Sequence, residues 1–160
     1  MRSFIVVFAY LIVTPVLAQE PIGCDKFKWP IDRERALLAV AKPVAIGADV
    51  VDGSARLNLV PITEIRLPTE PSRRPKPDTF SGFVGYPSPS HAGTFRVTIS
   101  EPGWIDVVQE GERIKSGPFS GVTGCEGIRK SVKFDLKASP FIVEISGSPV
   151  KDIAIAVTAD

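Results

Sequence analysis

His91 is the only histidine in the chain, so any Ser-His-Asp or Cys-His unit would have to use it. Its setting, Ser88-Pro89-Ser90-His91-Ala92-Gly93, predicts an exposed hairpin loop, without the oriented partner that acid–base work requires. A facial-triad iron site takes two histidines and a carboxylate, and catalytic zinc commonly takes two or three nitrogen or sulfur ligands. The chain offers neither set, so no catalytic residue, metal or other cofactor is expected. Gly82, Gly85 and Gly93 fit neither G-x-G-x-x-G nor a P-loop, which leaves nucleotide binding without support.

Cys24 and Cys125 are the only thiols. No C-x-x-C spacing marks them as redox-active or zinc-binding. An even count in an oxidising compartment favours one bridge. It would close a loop of about 100 residues, worth up to about 4–5 kcal/mol on chain-entropy grounds. The other use for Cys24 is lipidation, because Ile22-Gly23-Cys24 places a small residue before it. Pro21 stands where a lipobox has leucine, which weighs toward the disulfide.

Carboxylate chemistry centres on Asp106, inside Trp104-Ile105-Asp106-Val107-Val108. If Ile105 and Val107 face a core, then Trp104, Asp106 and Val108 share the opposite face. A tryptophan beside a carboxylate suits sugar binding, the ring stacking and the acid accepting hydroxyl hydrogen bonds; Arg129 is a third candidate for that ligand surface. The more ordinary arrangement has Asp106 paired with Arg129, Lys130 or Lys133 on a neighbouring strand and Trp104 half-buried. Trp29, Phe80, Phe83, Tyr86 and Phe119 either extend the platform or pack the core. A glycosidase needs a second carboxylate at a set distance, which the sequence does not place.

The elements that must position these residues read as strands. Thr94–Ser100 alternates with Phe95, Val97 and Ile99 on one face, and Val132, Phe134 and Leu136 do the same. So do Phe141, Val143 and Ile145, and then Ile153, Ile155 and Val157. Period two with one polar face predicts antiparallel strands packed on one side. Turn signals stand between them at Glu101-Pro102-Gly103, Glu110-Gly111-Glu112, Ser116-Gly117-Pro118, Ala138-Ser139-Pro140 and Ser146-Gly147-Ser148-Pro149. Arg56–Ile62, Glu64–Leu67 and Phe80–Tyr86 complete about eight strands. The expected fold is an all-β, antiparallel, jelly-roll-like sandwich. Asp32–Val40 fits either a short helix or a strand edge. Glu70–Asp78 holds three prolines and three cations, a composition for a solvated loop or a docking strip for an acidic partner; the loop is the ordinary case.

The first eighteen residues read as a secretory signal peptide. Arg2 supplies the positive region, Phe4–Val13 is apolar, and Val16 and Ala18 suit a cleavage site. The run is shorter than the roughly 20 apolar residues of a membrane span. Residues 19–160 then form one domain, periplasmic or secreted, that meets the membrane only during export. Without Arg2 the mature chain carries 18 basic and 18 acidic side chains. That balance gives no electrostatic argument for nucleic acid or anionic lipid. The expected partner is an envelope ligand, either polysaccharide or protein.

Three stretches carry a resemblance: Cys24-Asp25-Lys26-Phe27-Lys28-Trp29-Pro30 with Arg33-Glu34-Arg35-Ala36, Gly93–Val97 through Trp104–Val108, and Cys125–Val132. The chain resembles small secreted proteins of Gram-negative bacteria, some labelled homogentisate 1,2-dioxygenase. The resemblance implies a small β-sandwich similar to the domains appended to secreted peptidases. True homogentisate dioxygenases are larger and cytosolic, with a histidine-and-carboxylate iron site. No residue of that site transfers to a chain whose one histidine is His91. The expected function is a non-catalytic envelope or periplasmic binding module, with the enzyme as the alternative.

Overall fold

The computed structural model describes residues 20–160; the signal peptide expected over residues 1–18 lies outside the described residues. Ten strands form two five-stranded antiparallel sheets that face each other. In chain order they are β1 (Ser54–Asn58), β2 (Val60–Pro61), β3 (Phe80–Tyr86), β4 (Gly93–Ile99) and β5 (Trp104–Gln109), then β6 (Glu112–Ile114), β7 (Ser116–Gly121), β8 (Lys130–Leu136), β9 (Phe141–Ser148) and β10 (Asp152–Ala159). One sheet has the order β1-β10-β4-β8-β7, the other β2-β3-β9-β5-β6.

Set aside the two-residue β2 and the edge strand β7, and eight strands remain. They pair in nested fashion: β1 with β10, β3 with β9, β4 with β8 and β5 with β6. Nested antiparallel pairing split over two sheets is the jelly-roll arrangement, as the alternating segments led us to expect. The alternation explains the packing. Phe95, Val97 and Ile99 of β4 meet Val107, Val143 and Ile145 of the other sheet in one core, with Phe134 and Ile155 fully buried among them. At the β5–β6 hairpin, Glu110 (φ 55°) and Gly111 (φ 81°) are both left-handed. Two positive φ values match the right-handed twist of the flanking strands.

Four local expectations change. Ser146-Gly147-Ser148 is not a turn but the end of β9, and the chain bends only from Pro149. Glu64–Leu67 is not a strand: Ile62–Glu64 is a turn of 3-10 helix, and the chain then leaves the sheet. Ser116-Gly117-Pro118 is not a turn but the start of β7, whose pairing with β8 shifts between Ser116 and Phe119. Pro118 is tolerated because β7 is an edge strand with an irregular ladder, where a missing N–H costs little. Asp32–Ala39 resolves as a helix, α1.

Helix α1 lies on the outer face of the first sheet. Leu38 and Ile31 form a second cluster with Ala154 and Ala156 of β10, whose small side chains let the helix approach. Glu34 is 1 % exposed; it accepts a hydrogen bond from Thr158 Oγ1 (2.6 Å) and pairs with Arg96 Nη1 at 3.2 Å. The Cys24–Cys125 disulfide belongs to the same cluster and bridges a separation of 101 residues. Around it the N-terminal segment is laced to the β7–β8 connection: Gly23 N donates to Thr123 O and Thr123 N to Pro21 O.

Candidate functional site

Trp104 opens β5, and Ile105 and Val107 do enter the core, so Trp104 and Asp106 share the outer face of the second sheet. On that face the chain between Ile62 and Thr79 forms a strap. Its ends meet where Ile62 N donates to Thr79 O (2.9 Å). Its middle is held by two acids that stand directly opposite each other, Asp106 on β5 and Glu144 on β9.

Glu144 is 1 % exposed, and its two oxygens accept from the Thr69 backbone N–H (2.7 Å) and Thr69 Oγ1 (2.9 Å). Asp106 is 5 % exposed and accepts from the Ser72 N–H (3.0 Å) and Ser72 Oγ (2.5 Å). Arg113 Nε lies 3.9 Å from Asp106, and the same guanidinium donates to the Glu70 carbonyl. All four carboxylate oxygens are therefore engaged by the strap, and neither acid reaches open surface. Burial, only partly offset by the two Thr69 hydrogen bonds, raises the Glu144 pKa.

The strap also sets the tryptophan. Trp104 Nε1 donates to Ser72 Oγ (2.6 Å), which fixes the indole while leaving it half-buried. Arg73 lies 5.4 Å from the ring centroid, and Lys130 Nζ, from the first strand position of β8, 4.5 Å. Beyond Lys130 stands Phe119 of the edge strand, 57 % exposed, with Lys130 at 5.9 Å and Lys28 at 5.2 Å from its centroid.

These residues line a groove of about 890 Å³. One wall is the strap (Arg73 to Lys76), another the N-terminal segment, and the floor runs from Trp104 to Phe119. Lys28 N donates to Ser120 Oγ (3.0 Å), so the N-terminal wall is fastened to β7 as well as to the disulfide. Seven cations and one acid, Glu20, line the groove. Lys26 pairs with Asp25, and Arg129 with Glu20 while it also donates to Val122 O (2.8 Å). Lys28, Arg73, Arg74, Lys76 and Lys130 have no carboxylate partner among the described residues. Burial, with the neighbouring Arg129 and Arg73 charges, lowers the Lys130 pKa below the usual lysine range.

The sequence candidates thus separate. Trp104 and Arg129 line one groove, and Asp106 lies behind the strap, bonded to Ser72 and Arg113 rather than to Arg129, Lys130 or Lys133. Of the other aromatics, Phe119 joins the surface, whereas Tyr86 stacks on Phe141 in the core at 5.2 Å. The cations at positions 73, 74 and 76 are a groove wall, because Thr69 and Ser72 anchor the segment that carries them. His91 is exposed, its Nδ1 2.9 Å from Ser90 Oγ. Sequence reasoning missed the charge asymmetry. Net charge averages over the surface, and five unpaired cations from three chain segments converge only in the fold.

The chain matches no known protein family, no curated protein and no solved structure.

Proposed function

We propose that this chain is an exported, non-catalytic binding module of the envelope or periplasm, which engages its ligand in the groove between Trp104 and Phe119. The observation that carries this reading is Phe119, a large aromatic exposed on an edge strand, in one open groove with a second aromatic held in place by Ser72. Rigid aromatic faces with flanking polar groups are what recognition surfaces use. The disulfide is compatible with an oxidising compartment, and no helix among the described residues is long and apolar enough to cross a membrane.

The test is retention of the processed protein on insoluble envelope and plant polysaccharides, with Phe119→Ala and Trp104→Ala alongside. Retention that both variants lose supports the groove as the ligand surface. Folded wild-type protein that is retained by none of them sinks the polysaccharide form of the proposal and redirects the search to a protein partner. Under the same reading the purified protein holds no stoichiometric iron and does not open the homogentisate ring; stoichiometric iron or ring opening would overturn it.

A further inference from the structure

The groove gathers positive charge from three regions that are distant in the chain. Lys28 comes from the N-terminal segment, Arg73, Arg74 and Lys76 from the strap, Arg129 from the β7–β8 connection and Lys130 from the start of β8. Five of these six have no carboxylate partner among the described residues, in a mature chain with equal numbers of acids and bases. Like charges repel when they are brought together, and a groove with low-dielectric walls concentrates the resulting potential. At Lys130, burial first and then the Arg129 and Arg73 charges disfavour the ammonium form, outweighing Glu20 and Asp106, which favour it. An arrangement that works against its own ionisation is relieved when an anion enters.

The geometry identifies the kind of anion. Lys130 Nζ lies over the Trp104 ring at 4.5 Å and within 5.9 Å of the Phe119 ring, so cationic and aromatic groups alternate along the floor. A ligand that fits has flat apolar faces to lie on rings and charges at intervals to meet ammonium and guanidinium groups. Ser146, the cross-strand neighbour of Trp104, lines the same groove, is almost fully buried, and its Oγ has no hydrogen-bond partner among the described residues. It is an unused donor and acceptor for a ligand hydroxyl. Acidic sugar residues combine all three features: a C–H face, hydroxyls and a carboxylate or phosphate.

We infer that the groove binds an anionic polysaccharide, with Trp104 and Phe119 against sugar faces and Lys28, Arg73, Lys76 and Lys130 on the acidic groups. This rests on the binding-module reading above and names the ligand class of the same surface. An exported compartment favours an acidic glycan over a nucleic acid, which presents similar chemistry.

The experiment measures affinity of the processed, disulfide-closed protein for soluble polygalacturonate and for its fully methyl-esterified form, the same backbone with its charge removed. The acid form binds at least about tenfold more tightly than the ester. Raising salt from about 0.1 M to about 1 M shortens the screening length from about 10 Å to about 3 Å and weakens acid binding by at least about tenfold. Arg73→Ser/Lys76→Ser, both exposed and outside the core, and Lys130→Met each weaken acid binding about fivefold or more, on the scale of one or two charge-assisted contacts, while the melting temperature is retained. Equal affinity for acid and ester, with retention on the insoluble panel still lost in Phe119→Ala, overturns the anionic assignment and leaves the binding module standing. Failure on both polymers and on the insoluble panel sinks the anionic assignment together with the polysaccharide form of the binding-module reading. Single-stranded DNA of matched charge that outcompetes polygalacturonate overturns the choice of glycan.

Discussion

Two acids at the same depth on one sheet face do different work from what their residue type suggests. Asp106 looks like a ligand-binding carboxylate, yet Ser72 and Arg113 engage it behind the strap. Glu144 opposite it is burdened by desolvation, so its charged form is disfavoured in the folded state. The sign follows: its favourable contribution is complete below the ordinary glutamate value of 4.5 and is lost as pH rises through the raised folded value. The charges facing it are Asp106, which adds to the rise, and Arg113, which opposes it. Glu144→Gln cannot ionise and keeps an oxygen for the Thr69 N–H. It is expected to hold stability within about 1 kcal/mol of wild type and to lack that loss with pH. Denaturant titrations of both proteins between about pH 4 and about pH 8, spanning the glutamate range, check it; curves that stay parallel would refute it. Arg96 has the opposite logic. It is the basic partner of nearly inaccessible Glu34, so Arg96→Met leaves a buried charge unpaired and is expected to cost about 3–5 kcal/mol, read from the denaturation midpoint.

At the scale of elements, the strap is the piece on which the surface depends. It has no regular structure beyond one 3-10 turn, and it stays on the sheet through Thr69, Ser72 and the Glu70 carbonyl. Ser72 is the pivotal contact, giving two hydrogen bonds to Asp106 and taking one from Trp104. Ser72→Ala keeps the backbone bond but leaves Asp106 Oδ1 and the indole N–H without the hydroxyl. It is expected to cost about 1–3 kcal/mol. The Trp104 fluorescence maximum shifts to the red as the ring loosens, while far-UV circular dichroism of the sandwich is unchanged. A tryptophan signal indifferent to Ser72→Ala would show that the strap does not hold the ring. The edge strand β7 contributes in another way: the Pro118 position and the shifted ladder make it a poor template for further pairing, which keeps Phe119 available on an exposed edge.

For the whole molecule, the disulfide joins the N-terminal groove wall to the β7–β8 connection across most of the described chain. Cys24→Ser/Cys125→Ser is expected to lower stability by up to about 4–5 kcal/mol, the entropy of a loop of about 100 residues restored to the unfolded state. Because the bridge sits beside Lys26 and Lys28, groove affinity falls more steeply with temperature in this variant than in the parent. Calorimetry of oxidised and double-mutant protein measures the first effect and ligand titration at two temperatures the second. Alkylation only after reduction, with two groups added, checks the bridge itself in protein purified without reductant.

The sequence by itself determined the class of fold; which strands pair was settled by the tertiary structure. Alternation at Phe95-Val97-Ile99 or Ile153-Ile155-Val157 leaves one face apolar, and a strand with one apolar face has few ways to bury it. It favoured the disulfide over lipidation of Cys24, on an even thiol count and Pro21 in the lipobox leucine position, and the structure closes that bridge. It also placed Trp104 and Asp106 on one face, as β5 confirms. Legibility ended where partners are remote. The alternation at Glu64–Leu67 looked like a strand, but no sheet edge receives it, and the segment serves a strap pinned by Glu144, 75 positions from Thr69. Only the tertiary structure decided that Asp106 turns toward Ser72 and that Lys28, Arg73, Lys76 and Lys130 meet in one groove. Local pattern is set by backbone geometry over a few residues. Electrostatic character is a sum over everything within about 10 Å in space, and chain order does not carry that sum.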